Sequence, residues 1–290
     1  MTIKRLVIFG DSLQDNGNLI KTLKIPGKPY YGGRFSNGKV ACEYLQKIIA
    51  EKEDTAMPEL LNYAIGGAFT TGENPKSLLR EHAFSVNQQL DRFIADYGRL
   101  DAHDLIMLSG GSNHFLFALH NEIPYFNLGA IHRVASDLLK LTDRLIKLGG
   151  KKIIVWNIPD VTITPAYEVS GFPNWVVWYL KWYIKKSIKQ QNNKLTCGIK
   201  KLVAKYPKVD IRQFDVYDIL QNMLRSPKEY GFDNVTTACV ESFGGVDAQG
   251  NIQTDIKVLN NPENHLFWDY VHPTTKAHQM LAVHMSKLLT

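Results

Sequence analysis

Five short β-rich runs recur along this chain of 290 residues, and helical patterns fill the intervals between them. The runs lie at residues 4–9, 60–65, 104–108, 152–156 and 209–214. Most of them are apolar nearly throughout, which is typical of strands covered on both faces in a parallel sheet. Strands that alternate with helices predict an α/β protein built as a three-layer α/β/α sandwich. In such folds, functional sites form at the carboxyl ends of the strands.

Local signals mark the ends of the predicted helices. Ser85 followed by Gln88 forms a capping-box signature at the start of one apolar helical pattern. Another pattern runs over residues 128–148 and stops at a pair of glycines. No repeat period or low-complexity linker divides the chain, so residues 1–290 are predicted to form a single domain.

Residues that suit acyl transfer follow these predicted strands. Ser12 comes after the first strand in the sequence Gly-Asp-Ser, Gly67 comes after the second, and Asn113 comes after the third. Near the C-terminus, Asp269 precedes His272 by three residues. A serine hydroxyl becomes a good nucleophile when a neutral imidazole, oriented by a carboxylate, accepts its proton. The pattern therefore predicts a catalytic triad of Ser12, His272 and Asp269.

The same chemistry needs hydrogen-bond donors aimed at the oxyanion that forms on the attacked carbonyl. Gly67 can bring its backbone N–H close to that oxygen because it has no side chain. Asn113 can offer its side-chain amide, and Ser12 adds its own backbone N–H. These three residues are the predicted oxyanion hole.

Four motifs, taken in order, resemble those of the GDSL esterase and lipase family, also called SGNH hydrolases. The motifs are FGDSLQDNGN at 9–18, the glycine at 67 within NYAIGGA, GSN at 111–113 and DYVH at 269–272. The resemblance covers nearly the whole chain. It implies a flavodoxin-like sheet of about five parallel strands. It also implies Ser12, Asp269 and His272 as the triad, Gly67 and Asn113 in the oxyanion hole, and no metal or organic cofactor.

The sequence RFSNG at 34–38 further resembles the branch that contains plant lipases and bacterial lysophospholipases, phospholipases and acyltransferases. That branch commonly acts on acyl lipids. The predicted function is therefore lysophospholipase A or phospholipase A activity, with acyl transfer to an alcohol as an accessory reaction. One departure is His114, which stands where many members have aspartate. We expect His114 and Asp11 to support the site through hydrogen bonds.

Several other functions compete with this prediction. A carbohydrate or small-ester acetylesterase would use the same triad, and an inactive relative would bind lipid or glycan without hydrolysing it. A two-metal phosphoesterase is disfavoured, because such sites need closely paired histidines and His272, His278 and His284 are six residues apart. A classical α/β-hydrolase is disfavoured because no Gly-x-Ser-x-Gly elbow occurs in the sequence.

The segment at about 172–208 is rich in tryptophan and lysine, and we predict that it forms a helical insertion. Its aromatic start either meets lipid, as amphipathic aromatic side chains do at interfaces, or is buried in the protein. The net charge of the chain is +6. Residues 181–208 contain nine lysines and no acidic residue, so this segment alone contributes more positive charge than the net surplus of the whole chain. The basic aromatic stretch accompanies no recognised nucleic-acid module, so we predict peripheral contact with an anionic membrane or micelle surface. The candidate surface residues are Trp175, Trp178, Lys181, Trp182 and Lys185.

Three cysteines leave room for one internal disulfide, and Cys197 with Cys239 is the candidate pair if the protein is exported. No signal-peptide pattern precedes the first strand. Two interpretations fit: a secreted protein whose signal peptide is missing from this sequence, which we favour, or a cytoplasmic protein.

Overall fold

The structure is a computed structural model that describes residues 2–74, 77–116, 128–169, 173–247, 249–259 and 261–289. Residue 172, where the predicted insertion starts, lies outside the described residues, as do residues 1 and 290 of the predicted domain. Within the described ranges, five strands form a central sheet and two more form a small separate sheet. The strands are β1 (Arg5–Phe9), β2 (Glu59–Asn62), β3 (Asp104–Leu108), β4 (Lys152–Trp156), β5 (Asp210–Phe214), β6 (Asn234–Ala238) and β7 (His265–Phe267).

The central sheet is parallel throughout and has the strand order β2-β1-β3-β4-β5. This is the flavodoxin-like order, so the predicted fold class and all five predicted strands are confirmed. The strand β2 ends three residues earlier than predicted. There the side-chain oxygen of Asn62 accepts a hydrogen bond from the N–H of Ala64 at 2.9 Å and turns the chain.

Helices cover both faces of this sheet. The helices are α1 (Ile20–Leu23), α2 (Ala41–Glu53), α3 (Ser77–Arg80), α4 (Val86–Tyr97), α5 (Ser112–Leu116), α6 (Leu128–Lys147), α7 (Asn174–Lys205), α8 (Val216–Arg225) and α9 (Thr275–Ser286). Alternation along β1 directs Val7 and Phe9 to one face, which α4, α6 and α7 cover. Leu6 and Ile8 point to the other face, which α2, α8 and α9 cover. Two separate apolar cores therefore hold the three predicted layers together.

The predicted capping box is present at the start of α4. The side-chain oxygen of Gln88 accepts a hydrogen bond from the N–H of Ser85 at 2.8 Å, and the Ser85 hydroxyl accepts one from the N–H of Gln88. These bonds satisfy backbone groups that a helix start otherwise leaves without partners. The helix α6 ends at Lys147, just before the two glycines that the sequence pattern marked as its stop.

The segment predicted as an insertion is the crossover connection from β4 to β5. It forms the single helix α7, which has 32 residues. At 1.5 Å per residue this helix is about 48 Å long, whereas a five-residue strand spans about 17 Å. One end of α7 therefore extends past the sheet. No helix in the described part of the chain is long and apolar enough to cross a membrane.

The candidate disulfide between Cys197 and Cys239 is not formed, and both cysteines are free. Cys197 is exposed on α7, which covers one face of the sheet. Cys239 is buried beside Trp268, directly after β6, whose partner β7 packs on the opposite face. The sheet lies between the two sulfur atoms, so this pairing was wrong.

Candidate active site

Ser12 stands in the loop after β1, and a glutamine from α4 fixes the backbone just before it. The Gln89 side chain accepts a hydrogen bond from the N–H of Gly10 at 2.9 Å and donates one to its carbonyl oxygen at 2.8 Å. A Cβ atom on Gly10 would lie 2.3 Å from Oγ of Ser109, so the close approach of two strand ends requires glycine. We did not predict Gln89, although a glutamine on the apolar face of an amphipathic helix is a signal that could have revealed it.

Asp269 and His272 lie in the loop after β7. This loop is closed by a hydrogen bond of 2.8 Å from the N–H of Trp268 to the carbonyl oxygen of His272. Nε2 of His272 lies 2.8 Å from Oγ of Ser12, and Nδ1 lies 2.8 Å from Oδ2 of Asp269. The three predicted triad residues thus form one hydrogen-bonded line, although Ser12 and His272 are 260 positions apart in the chain.

The Asp269 carboxylate is fully buried, and both of its oxygen atoms accept hydrogen bonds besides those of the imidazole. Oδ1 accepts from the backbone N–H groups of Val271 at 2.8 Å and His272 at 2.6 Å. Oδ2 accepts from the N–H of Gly244 at 3.0 Å and from the hydroxyl of Tyr30 at 2.7 Å. Burial, and then the nearby Asp269, raise the pKa of Tyr30, so its hydroxyl stays protonated and donates. These four donors offset the cost of burying the charge.

The three predicted oxyanion-hole residues converge on the same side of the triad. Gly67 has φ of +79°, and a Cβ atom there would lie 2.7 Å from a methyl carbon of Leu79. Asn113 donates one amide N–H to the carbonyl oxygen of Ala68 at 2.9 Å. Since a side-chain amide carries two N–H groups, a second donor remains for an oxyanion. The backbone at Gly67, the amide of Asn113 and the backbone of Ser12 border one space.

A buried carboxylate holds two of the loops around this space together. Oδ1 of Asp15 accepts hydrogen bonds from the N–H groups of Gly17 and Asn18. Oδ2 accepts from the N–H of Leu19 at 3.2 Å and from that of Gly66 at 2.8 Å. The loop after β1 is therefore tied to the loop after β2 just before the oxyanion-hole glycine. We predicted no such role for Asp15, because nothing in the sequence relates it to the second loop.

Ser12, Gly67, Asn113 and His272 face a common cavity of about 120 Å³. The rest of its lining is apolar or glycine, and within the described ranges no charged side chain reaches it. No three His, Cys, Asp or Glu side chains in the described part of the chain cluster as metal ligands would. The apolar lining includes Leu19, Ile25, Leu78, Leu79, Phe243 and Val246.

The family model described as "GDSL-like Lipase/Acylhydrolase" matches residues 6–285. The chain belongs to this family. A GDSL esterase/lipase of Arabidopsis thaliana is 25% identical over 304 residues, which cover 94% of this chain and 90% of the relative. The phosphatidylcholine-sterol acyltransferase of Aeromonas hydrophila is also 25% identical, over 96% of this chain and 88% of the relative.

A solved structure shows the same fold. The acetylxylan esterase Axe2 from Geobacillus stearothermophilus has a TM-score of 0.50 and 15% identity, and the match covers 100% of this chain and 96% of that chain. At this identity the likeness concerns the fold alone. The activity is assigned from the family match instead: this GDSL hydrolase is a carboxylic ester hydrolase.

The two residues predicted to support the site are both buried in the GDSL hydrolase. His114 stacks on Phe69 at 4.2 Å between ring centroids, and its Nε2 lies 3.3 Å from the hydroxyl of Thr70, which donates to Asp137. Burial lowers the pKa of His114 to about 3, so the ring is neutral at physiological pH. Burial also raises the pKa of Asp11 to about 6. Oδ1 of Asp11 accepts a hydrogen bond from the backbone N–H of Leu13, the residue after Ser12.

The RFSNG segment, which pointed to one branch of the family, packs around the histidine of the triad. The ring of Phe35 lies 4.9 Å from the imidazole of His272. The hydroxyl of Ser36 donates to the carbonyl oxygen of Pro273 at 2.9 Å, and the side-chain oxygen of Asn37 accepts from the N–H of Thr275 at 2.8 Å. These contacts hold the ring of His272, and the residues that follow it, against a segment near the N-terminus. The sequence did not show that this motif contacts the triad.

The aromatic start of α7 is exposed. The side chains of Trp175, Trp178, Tyr179 and Trp182 are 74%, 69%, 53% and 49% exposed. Of the two predicted alternatives, burial in the protein is therefore wrong. None of these residues lines the cavity at Ser12, so the structure does not bring them into the catalytic site.

The two lysines predicted to face lipid also have partners within the chain. Nζ of Lys181 forms an ion pair with Glu168, and Nζ of Lys185 lies 3.2 Å from Oδ2 of the buried Asp160. These contacts help to position the start of α7. The contact of Lys181 and Lys185 with a lipid surface stays a prediction.

Proposed function

We propose that this GDSL hydrolase cleaves acyl lipids, with a lysophospholipid or another single-chain acyl ester as its preferred substrate. The observation that carries this proposal is the cavity beside Ser12, whose lining is apolar apart from the catalytic groups and glycine backbone. An acyl chain gains free energy when it leaves water for such a lining. A sugar would lose hydrogen bonds there without replacement, so the cavity favours an acyl chain over a carbohydrate.

The reaction begins with proton transfer from Ser12 to His272. Oγ of Ser12 attacks the ester carbonyl carbon while Nε2 of His272, at 2.8 Å, takes the hydroxyl proton. The carbonyl π electrons move to oxygen, and the resulting oxyanion accepts hydrogen bonds from the amide of Asn113 and the backbone N–H groups of Gly67 and Ser12. Asp269 accepts the Nδ1 proton, fixes the tautomer and stabilises the imidazolium.

Collapse of the tetrahedral intermediate breaks the ester C–O bond. The imidazolium of His272 returns its proton to the leaving alcohol oxygen, and the acyl group stays on Ser12 as an ester. Water then attacks this acyl-enzyme by the same proton route, which releases the fatty acid and restores the hydroxyl. An acceptor alcohol in place of water would give a new ester. The 25% identity to a phosphatidylcholine-sterol acyltransferase supports testing that second outcome.

A direct competition between substrate classes tests the proposal. Purified protein would be incubated with lysophosphatidylcholine, with an acetylated xylo-oligosaccharide and with a mixed lipid extract, with and without cholesterol. Mass spectrometry would then identify every species that loses or gains an acyl chain. We expect fatty acid from the lysophospholipid at a rate at least about tenfold above deacetylation of the sugar.

Two variants make this result specific to Ser12. Ser12→Ala should lower lipid hydrolysis by about 10⁴-fold or more, because the nucleophile is gone. The matched Ser136→Ala change, at an exposed serine on α6, should leave the rate unchanged. Equal rates for Ser12→Ala and the wild type would overturn the mechanism. Faster deacetylation of the oligosaccharide would overturn the lipid assignment and favour a carbohydrate acetylesterase.

A further inference from the structure

The first turns of α7 project beyond the catalytic edge of the sheet. The strand β4 ends at this edge, and α7 must run back along the sheet to reach the start of β5. Leu180 is the first buried residue of the helix, and the buried positions then continue to Ile199. None of the six helical residues before Leu180 is buried. The start of α7 therefore lies on the side of the molecule where Ser12 and His272 lie.

The chain that leads into α7 contacts the triad loop. The N–H of Ala166 donates a hydrogen bond of 2.8 Å to the carbonyl oxygen of Tyr270, between Asp269 and His272. About three turns into α7, the Lys185 ion pair with the buried Asp160 holds the helix to the chain after β4. The orientation of the projecting turns is thus fixed relative to the catalytic loop.

The exposed aromatic side chains form one stripe, which we call the aromatic stripe: Trp175, Trp178, Tyr179 and Trp182. Their spacing of i, i+3, i+4 and i+7 is that of a single helix face, and this face points to solvent instead of the core. Scattered exposed apolar residues are ordinary, but a contiguous exposed stripe of indoles marks an interaction surface. Indole and phenol rings suit a lipid–water boundary, where the ring is buried and its N–H or O–H stays hydrated.

Lysines continue the same face toward the middle of the helix. Lys186 follows Trp182 by one turn, and Lys189 follows by two; both are exposed. Nζ of Lys186 lies 5.0 Å from the ring centroid of Trp182, which brings the charge next to the stripe. Each lysine near an anionic lipid surface adds to the attraction. In a parallel pairing of two chains through the stripe, the same lysines would lie side by side and repel.

We propose that the aromatic stripe docks this hydrolase on the surface of an anionic lipid bilayer or micelle, with Lys186 and Lys189 at the level of the phosphate groups. Docking there presents the catalytic edge of the sheet to the aggregate from which single acyl chains enter the cavity. The proposal rests on the proposed function for its purpose, since it assumes a lipid substrate. Its physical content, adsorption through a defined stripe, is independent of turnover.

Binding is measured in the Ser12→Ala background, so that lipid is not consumed and catalysis plays no part. Large unilamellar vesicles of phosphatidylcholine, with and without phosphatidylglycerol, are sedimented with the protein across a salt series. The variant Trp175→Ala/Trp178→Ala/Trp182→Ala should bind at least about tenfold more weakly, because three indole rings no longer move from water into the lipid. The control Val203→Ala removes an exposed apolar residue at the opposite end of α7 and should bind as before.

The charge contribution has its own matched pair of variants. Lys186→Gln/Lys189→Gln should weaken binding to phosphatidylglycerol vesicles about tenfold and reduce its salt dependence. Lys200→Gln/Lys201→Gln removes the same charge from the distal half of the helix and should have less than a twofold effect. If both pairs of substitutions weaken vesicle binding equally, the attraction depends on the net charge of the protein alone. That result would overturn the assigned position of Lys186 and Lys189 at the lipid surface.

Tryptophan fluorescence locates the contact. The chain has five tryptophans; Trp156 and Trp268 are 1% and 2% exposed, and the other three belong to the stripe. Adding vesicles should shift the emission to shorter wavelength, and the triple tryptophan variant should lose this shift because its two remaining indoles are already buried. An unchanged spectrum of the wild type on saturating vesicles would exclude insertion of the stripe.

The outcomes separate this proposal from the proposed function. If the wild type hydrolyses lysophospholipid but the triple variant binds and hydrolyses vesicle lipid like the wild type, the docking surface is wrong and the function stands. If stripe-dependent vesicle binding occurs without lipid hydrolysis, the surface stands and the substrate assignment fails. A third outcome is a wild type that does not bind vesicles but forms a dimer in size-exclusion chromatography. If the triple variant does not form this dimer, the stripe binds a second copy of the chain and the proposal is overturned.

Discussion

The loop at 269–272 and the aromatic stripe both flank the catalytic edge of the sheet. In each of them the burial of a residue is the opposite of what its polarity predicts. Asp269, a charged residue, is completely buried, whereas Trp175, within the longest apolar run of the sequence, is 74% exposed. The loop is stable because each carboxylate oxygen has several donors. The stripe, within the described part of the chain, is not enclosed by the core in this way, and its large exposed surface is available to a partner outside the chain. Both departures occur where we place function.

The largest expected effect comes from removing the charge at the centre of the buried loop. Asp269→Asn should lower kcat on p-nitrophenyl butyrate by about 10⁴-fold, because an amide does not hold the imidazole tautomer in which Nε2 accepts the proton of Ser12. Asp255→Asn, at an exposed site, is the control and should keep full activity. Circular dichroism should show that the fold persists. A loss smaller than tenfold would mean that Asp269 is not the orienting carboxylate.

The contrast between the two regions is sharpest for a pair of tryptophans. Trp268, 2% exposed, packs edge-on against Tyr30 with 5.9 Å between ring centroids, whereas Trp178 is 69% exposed. Trp268→Ala should reduce the free energy of unfolding by about 3–5 kcal/mol, since it leaves a cavity. Trp178→Ala should change it by less than about 0.5 kcal/mol. Urea denaturation of both variants checks this, and similar losses would show that the stripe serves the fold.

Acid should destabilise the protein through a buried histidine on α9. His278 is fully buried, and within the described residues neither ring nitrogen has a hydrogen-bond partner. Burial lowers its pKa to about 3, whereas an unfolded chain titrates near 6.5. As pH falls from about 6.5 to 3, only the unfolded state gains this proton, so the stabilising contribution present above pH 6.5 is lost. By pH 4.5 the loss reaches about 3 kcal/mol.

The variant His278→Gln isolates this contribution. Its free energy of unfolding, measured by urea denaturation between pH 7.5 and 4.5, should fall by about 3 kcal/mol less than that of the wild type over the same interval. His132→Gln is the control, because this histidine is exposed on α6. Parallel pH profiles for His278→Gln and the wild type would contradict a neutral buried ring at 278.

The smallest effect tests a single contact of the buried loop. Tyr30→Phe removes one of the four donors to Asp269 outside the imidazole and should lower kcat about tenfold with little change in KM. A purely structural role would lower the melting temperature without shifting the pH profile of kcat, so that profile is the decisive readout. Tyr31→Phe, at the exposed neighbouring tyrosine, should change neither quantity. If both variants behave alike, the hydroxyl of Tyr30 does not position the carboxylate.

Local pattern predicted most of the fold in this protein. A nearly continuous apolar run such as 152–156 is typical of a strand covered on both faces, and the capping box at Ser85 fixes a helix start within a few residues. The triad and oxyanion-hole residues followed from ordered motifs at strand ends, because parallel strands bring their carboxyl ends to one edge. Other supporting residues, such as Tyr30, were missed. Tyr30 and Asp269 are 239 positions apart, and no local pattern expresses a hydrogen bond at that distance.

The sequence by itself determined the layered architecture, the family and the residue types of the catalytic chemistry, since these depend on periodicity and on short motifs. Tertiary structure alone decided three further properties: that Gln89 and Phe35 hold the catalytic groups, that Cys197 and Cys239 lie on opposite sides of the sheet, and that the tryptophans of α7 face solvent. The physical reason is the same in each case. Burial and contact depend on what the rest of the chain places beside a residue, and a helix that extends past its sheet leaves the aromatic face of its first turns exposed.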